Sequence, residues 1–425
     1  MGPMEKLLPG RPYTARIVDL PKPKFPLRIG LMLGDRLHLL EVEPELLRGL
    51  ALGDLVEFTL GGEGAPATLT RIGGTIGAAW DERGDGLRWR RGGERRMEAL
   101  RLRSRVLREI RAYFDGQGFL EVDTPALVRA PTPEPQFSPI PAGEGYLITS
   151  PEFQLKRLLV GGFEKIYRIG PVFRGGEAGR FHNPEFTMLE WYRAYAELEA
   201  MATDLEALLE CLVPLAAQEP AAQEPTGQGG AAPTALVASW RHRPYRRASV
   251  AELFREILHL EISGVTTGEA LRRAAVGAGM EGAERLPGDF EECFFILWER
   301  LEPHLGPEPL LVVDWPAPLA SLARLREGDP TLADRMELYA GGLELANGFA
   351  ELTDPAEQRR RFEVNLAGRK ARGLPPLPLD DAFLAALGQG MPPAAGMALG
   401  VDRLVMLLAG ADDIRQVLAF SSDEL

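Results

Sequence analysis

The sequence predicts an α+β protein in two parts, a small N-terminal β domain and a larger domain of mixed strands and helices. Three observations predict it. Residues 1–78 hold five short runs rich in apolar and β-branched residues, interrupted by one helical turn. From Met97 the apolar spacing becomes that of a helix, with Leu100, Val106, Ile110 and Phe114 in phase. Strand-like and helix-like segments then alternate to the C-terminus. The 425 residues, 45% of them hydrophobic, suffice for two or three packed domains.

In chain order, residues 13–20, 27–33 and 36–43 read as strands, and 44–50 as a short helical turn. Gly53-Asp54 opens a fourth strand at 55–60, and 67–72 is a fifth. Three strands, a short helix and two strands is the order of an OB-type barrel. Residues 73–96 hold six Arg and four acidic residues among glycines, so the stretch before the catalytic part, 79–96, reads as a linker. Gly116 and Gly118 close the helix that begins near Met97. The remaining domain is 97–425. A repeated AAQEP followed by Thr, Gly, Pro and Ala marks a low-complexity insert near 214–247, whose composition cannot bury a core.

A formal net charge of −13 argues against nucleic-acid binding through a broad basic face. Two cysteines suggest reduced thiols. The N-terminus lacks a signal-peptide core, and no apolar run reaches the roughly 20 residues of a membrane span. The expectation is a cytoplasmic protein without membrane contact.

Three constellations carry chemistry. In the first, Phe173-Arg174 precedes Arg180-Phe181-His182-Asn183-Pro184-Glu185-Phe186, between strand-like runs at 165–172 and 185–191 that can pair as a hairpin. An Arg at a strand end offers a planar, permanently charged fork suited to an α-phosphate. An aromatic ring across the hairpin can stack on a base. In the second, Glu337, Glu344 and Glu351 recur every seven residues in MELYAGGLELANGFAEL. A Gly-Gly turn lets Glu337 and Glu344 approach across a hairpin, and paired carboxylates beside a nucleotide hold Mg2+. In the third, small residues alternate at Gly396, Ala398 and Gly400 and strip one strand face of bulk. The following helix places its N-terminus and Arg403 where an anion is favoured.

These residues resemble a known family. FRGGEAGRFHNPEFTMLEWY is similar to motif 2 of class II aminoacyl-tRNA synthetases, GMALGVDRL to motif 3, and GFLEVDTP, ending at Pro125, to motif 1. The resemblance implies an antiparallel sheet flanked by helices, and normally a homodimer. TSPEFQLKRLLVGGFEKIYRI, HNPEFTMLEWY and ELANGFAELTD resemble the lysine branch. AGRFHNPEFTMLEWYR and RGLPPLPLD…GMPPAAGMALGVDRLVML resemble its shortened paralogs, the elongation factor P lysine aminoacylases. That family activates lysine or (R)-β-lysine with ATP and Mg2+ and joins it to a lysine of elongation factor P.

The resemblance implies roles residue by residue. Arg174 and Arg403 become catalytic, at the α-phosphate and the far side of the nucleotide. Gly175, Gly176, His182, Asn183, Phe186, Glu344, Leu345 and Gly400 become further ATP contacts, and Glu337 and Glu344 the metal ligands. Ser150, Pro151, Glu152, Tyr192, Asn347, Glu351 and Ala398 border the amino acid, with Glu351 and Tyr192 suited to an ε-ammonium. Ala398 stands where true lysyl-tRNA synthetases usually have Gly, and an added methyl discriminates by about 1–3 kcal/mol. The family pattern FRNE is broken here. Gly176 replaces its acid, and Glu177 follows one position later.

The rival reading is a lysyl-tRNA synthetase, whose N-terminal domain would stack anticodon bases. Residues 1–80 hold nine Lys/Arg and nine Asp/Glu, with only Tyr13, Phe25, Phe58 and Trp80 as aromatics. A neutral, aromatic-poor domain is poor equipment for tRNA, so tRNA is not an expected partner. A second rival, a non-catalytic paralog, rests on Gly176 alone.

Overall fold

A computed structural model describes residues 7–19, 28–33, 36–61, 68–74, 93–216 and 237–424. The expected linker at 79–96 lies outside them up to residue 92, as do residues 217–236 of the expected insert. Contacts divide the chain into two compact units, Met1–Arg101 and Leu102–Leu425.

In the first unit, β1 (Pro12–Asp19), β2 (Arg28–Leu33), β3 (Arg36–Glu41), β4 (Leu55–Thr59) and β5 (Thr68–Gly73) form one antiparallel sheet in the order β3-β2-β1-β4-β5. A 3-10 turn, Pro44–Leu47, separates β3 from β4. Alternate residues Ala15 and Ile17, Ile29 and Leu31, and Val56 and Phe58 point to one buried face. The two outer strands, β3 and β5, do not pair with each other among the described residues. Five strands with a short helical turn after the third match the element order read from the sequence.

Helix α1 (Gly93–Gly116) begins in the first unit and ends in the second, where it leads to the short strand β6 (Leu120–Glu121), and a small sheet follows of β7 (Leu127–Val128), β8 (Pro141–Ala142) and β9 (Gly145–Leu147). Next come α2 (Glu152–Val160), β10 (Lys165–Phe173), β11 (Glu185–Ala194) and α3 (Leu198–Ala216). Helix α3 carries Pro214 in its last turn, and Trp240 and Tyr245 are buried, so both flanks of the expected 214–247 insert are structured. Strand β12 (Arg246–Ser249) precedes helices α4 (Val250–Leu258), α5 (Gly268–Gly277) and α6 (Phe290–Leu301). Ser249, Thr267 and Asp289 cap them, each side chain accepting from a backbone N–H of the first turn. Strands β13 (Leu310–Pro316), β14 (Leu325–Arg326), β15 (Asp329–Ala340) and β16 (Leu343–Ala350) follow. The chain ends with α7 (Pro355–Ala371), α8 (Asp381–Leu387), β17 (Ala394–Gly400) and α9 (Val401–Ala409).

The main sheet has nine strands along the order β12-β13-β15-β16-β17-β11-β10-β6, with β14 attached to β15. All central pairings are antiparallel; the end pairs β12–β13 and β10–β6 are parallel. Helices α4 to α6 pack through Phe254, Phe294 and Trp298 against Trp315 and Tyr339 of the sheet. Phe114 of α1 stacks on Tyr167 of β10, beside Trp191. Asp402 ties three elements together. It accepts from Arg103 of α1 and from the Thr187 amide of β11 while sitting in the first turn of α9.

Candidate active site

Four adjacent strands of the main sheet place their residues in register. Glu190 of β11, Ala398 of β17, Asn347 of β16 and Glu337 of β15 form one cross-strand row. Two residues along, Tyr192, Gly396, Phe349 and Arg335 form a second. Side chains alternate faces with a period of two, so both rows face the same side. They floor a cleft of about 550 Å3, within the range of small-molecule sites.

One end of the cleft is acidic and phenolic. Glu190 is 2% exposed, accepts from Tyr192 Oη at 2.8 Å and from Ser150 Oγ at 2.8 Å, and burial pushes its carboxyl up to about 7. Ser150 Oγ also accepts from the amide of Glu152, the first residue of α2. Gly396 is required here. A Cβ on it would stand 2.4 Å from Tyr192 Cε1 and 2.7 Å from Glu351 Oε1.

The other end is basic. Arg174, at the end of β10, lies between the rings of Phe137 and Phe186, 4.2 and 5.2 Å from their centroids. Burial lowers its pKa, opposed by Glu177 and Glu344, and its Nε has no partner. A guanidinium is permanently charged, so this cation is held ready for an anion. Arg403, in the first turn of α9, donates to the Glu344 carbonyl at 2.7 Å and to the Phe181 carbonyl at 3.3 Å. Its third contact is His182 Nε2 at 2.6 Å; burial, then Arg403, lowers the His182 pKa, so the ring accepts there as the neutral form. The two arginines line the same cleft, and the charge of Arg403 lowers the pKa of Arg174 further.

Glu337 and Glu344 both face the cleft because of one irregularity. Gly341 and Gly342 turn the β15–β16 hairpin at φ 62° and 76°. The register then slips, so that Tyr339 opposes Glu344 while Leu338 opposes Ala346. An unbroken ladder would have set Leu345 opposite Tyr339 and turned Glu344 away. Glu337 takes hydrogen bonds from Arg335 at 2.6 Å and Tyr339 at 2.9 Å. Burial and then the Glu344 charge push it up to about 7, against Arg335.

Of the residues singled out in the sequence, Arg174, His182, Asn183, Phe186, Glu337, Glu344, Leu345, Gly400, Arg403, Ser150, Glu152, Tyr192, Asn347 and Ala398 line this cleft. Gly175, Gly176, Pro151 and Glu351 do not. Gly175 packs on the backbone, where a Cβ would stand 2.8 Å from the Ser138 carbonyl, and Gly176 takes φ 80°. The turn they make brings Glu177 into the cleft. Pro151 caps α2. Glu351, two residues beyond Phe349, is buried past the end of the cleft beside Gly396 and Tyr192 and paired with Lys156 at 2.5 Å. Asn183 bridges backbone groups, donating to the Glu185 carbonyl at 2.6 Å and accepting from the Ser422 amide at 3.0 Å. The sequence reading missed Glu190 and Arg335. Glu190 had a signal, since an acid two residues before Tyr192 on a strand shares its face.

Residues 87–424 match the family described as tRNA synthetases class II (D, K and N). The chain is 37% identical over 334 residues to the elongation factor P–(R)-beta-lysine ligase of Edwardsiella ictaluri, covering 76% of this chain and 94% of that one. It is 38% identical over 331 residues to the protein of the same name from Photorhabdus laumondii, covering 75% and 93%. The protein of that name from Klebsiella pneumoniae is 37% identical over 334 residues, covering 76% and 94%. The chain belongs to the class II tRNA synthetases of the D, K and N group.

Proposed function

We propose that this protein is a ligase that activates lysine or (R)-β-lysine with ATP and transfers it to a lysine side chain of elongation factor P. The observation that carries this reading is the polarity of one cleft. Arg174 and Arg403 stand at one end, and Glu190, Glu152, Tyr192 and Ser150 at the other. A diamino acid lies along it with its ammonium groups toward the carboxylates and its carboxylate toward the arginines. The names of the relatives support the same substrate and acceptor.

In the first step the substrate carboxylate oxygen attacks the α-phosphorus of ATP, and pyrophosphate leaves. Arg174 and Arg403 hold the phosphates and offset the charge that develops, so catalysis is positioning and electrostatics. The neutral amine of the acceptor lysine then attacks the acyl carbon, an amide forms and AMP leaves.

Two facing carboxylates suit Mg2+, which takes one or two carboxylates together with substrate phosphates. Glu337 and Glu344 would hold it. The residues fit, because Glu337 is raised partly by the Glu344 charge, a repulsion that a dication relieves. Among the described residues no three His, Cys, Asp or Glu side chains gather into a metal site of their own, which leaves the remaining positions to the nucleotide. When bound, the ion neutralises phosphate charge.

The reading includes a homodimer. The edge strand β6 and its surroundings expose Leu120 at 51% and Leu127 at 55%, on either side of Pro125. No helix among the described residues is long and apolar enough to cross a membrane.

The second reading, tRNA charging, is favoured by one feature. About a quarter of this chain lies beyond the matched stretch, although the relatives are matched almost end to end. Labelled α-lysine and (R)-β-lysine, each incubated with the protein, ATP and either elongation factor P or tRNA(Lys), separate the two. Label on the protein acceptor alone supports the proposal. Label on tRNA alone replaces it with the second reading.

A further inference from the structure

Lys156 of α2 is fully buried, an unusual place for an ammonium group. Its Nζ stands 2.5 Å from Glu152 Oε1 and 2.5 Å from Glu351 Oε2, and 5.2 Å from the centre of the Phe349 ring. Neither acid is spare. Glu152 lines the cleft. The second oxygen of Glu351, Oε1, has no hydrogen-bond partner and borders the gap left by the missing Cβ of Gly396, next to the Tyr192 ring. Glu190 completes the group from β11, and each carboxylate acts on the others: Glu152 raises Glu190 and Glu351, and Glu190 raises Glu351.

We infer that Lys156 sets the charge of the amino-acid end, cancelling one of the three carboxylates of Glu152, Glu190 and Glu351. The end so held stays anionic toward the ammonium groups of the substrate. This rests on the diamino-acid reading given above. Other charged groups stand nearby. Arg168 stands beside Glu190 on β10 and is offset by Asp123 as well. Glu134, which feels Glu152, receives the Ser321 hydroxyl and lies within the fields of Arg335 and Arg174. Tyr192 stays protonated, raised by burial and then by Glu190.

Lys156 does not touch the cleft, so it is a positioning residue. Without it, the carboxyls of Glu190 and Glu351, already raised to about 7 and about 8 by burial, move further up and hold a proton at higher pH. Substrate binding then competes with that proton. Removing Glu351 together with Lys156 takes out one charge of each sign and restores the balance. Replacing both partners of a buried pair is far better tolerated than removing one.

The test is amino-acid-dependent ATP–pyrophosphate exchange between pH 6 and 9 on the full chain, with Lys156→Met, Lys156→Arg, Glu351→Gln and the double variant Lys156→Met/Glu351→Gln. In K156M the KM for lysine or (R)-β-lysine rises at least tenfold at pH 7 and falls as pH increases, while the KM for ATP moves less than threefold. K156R retains most of the wild-type KM. The double variant loses the added pH dependence, whatever its KM, because Glu351 belongs to the same acidic group. If K156M does not fold, the double variant decides alone by the same criterion. A K156M profile parallel to wild type overturns the inference, as does a folded double variant that keeps the added pH dependence. In both cases the functional reading stands so long as wild type is active. A wild-type protein that exchanges pyrophosphate with no diamino acid overturns both.

Discussion

Glu190→Gln should make the protein more stable and less active, and the stability gain should depend on pH. Burial raises the Glu190 carboxyl from its ordinary 4.5 to about 7. At 1.36 kcal/mol per pH unit, forcing it to ionise costs the folded chain about 3 kcal/mol. The sign follows from proton counting. Between pH 4.5 and 7 the folded protein keeps a proton that the unfolded chain has released. Wild-type stability therefore falls as pH rises through that window, and levels off above it. Glutamine does not titrate and fills the same space between Tyr192 and Ser150. The difference between variant and wild type should be near zero at pH 4.5 and reach up to about 3 kcal/mol at pH 8, roughly 5 °C in Tm for a chain of this size. Over the same range the variant loses a charged partner for an ammonium group, worth about 2–3 kcal/mol, so its KM for the amino acid should rise about 30- to 150-fold. Thermal melts from pH 4.5 to 8, paired with pyrophosphate exchange, read both. A stability difference that is constant across pH would show that Glu190 carries no buried charge.

Three further outcomes follow from the same geometry. Gly396→Ala forces a Cβ to within 2.4 Å of the Tyr192 ring, so the KM for the amino acid should rise by tenfold or more while the KM for ATP holds, measured by exchange at varied concentrations of each. Ala398→Gly removes the one methyl between Glu190 and Asn347, and the preference between lysine isomers should shift toward α-lysine by about 10- to 100-fold in kcat/KM. A strong preference of the wild type for α-lysine would remove the basis of that prediction. Arg403→Met deletes one of the two cleft arginines and frees His182 from its charge, so exchange should fall by at least 100-fold while the His182 pKa, followed by NMR, rises.

Much of this was legible in the residues because it depends on short-range pattern. The five N-terminal strands and the β10–β11 hairpin follow from alternation and turn residues, and each begins and ends within three residues of where the sequence places it. Arg174, Glu344 and Arg403 sit in strings whose residue types already pointed to a nucleotide, and the family resemblance added Tyr192 as a partner for an amine. What was hidden depends on contacts between distant segments. The inward turn of Glu344 hangs on one extra residue at Leu345, which no periodicity announces. Lys156 reads as an ordinary helical lysine until β16 brings Glu351 beside it. Gly176 looked like a lost acid, yet its positive φ belongs to the turn that carries Glu177 into the cleft.

The central claim is that one cleft holds a triphosphate against Arg174 and Arg403 and a diamino acid against Glu190 and Tyr192. Pyrophosphate exchange with ATP, run in turn with α-lysine, (R)-β-lysine and norleucine, tests it most directly. Exchange that requires a lysine isomer and fails with norleucine, which lacks the second ammonium group, is the predicted result. Equal exchange with norleucine, or none with either lysine isomer, would contradict it.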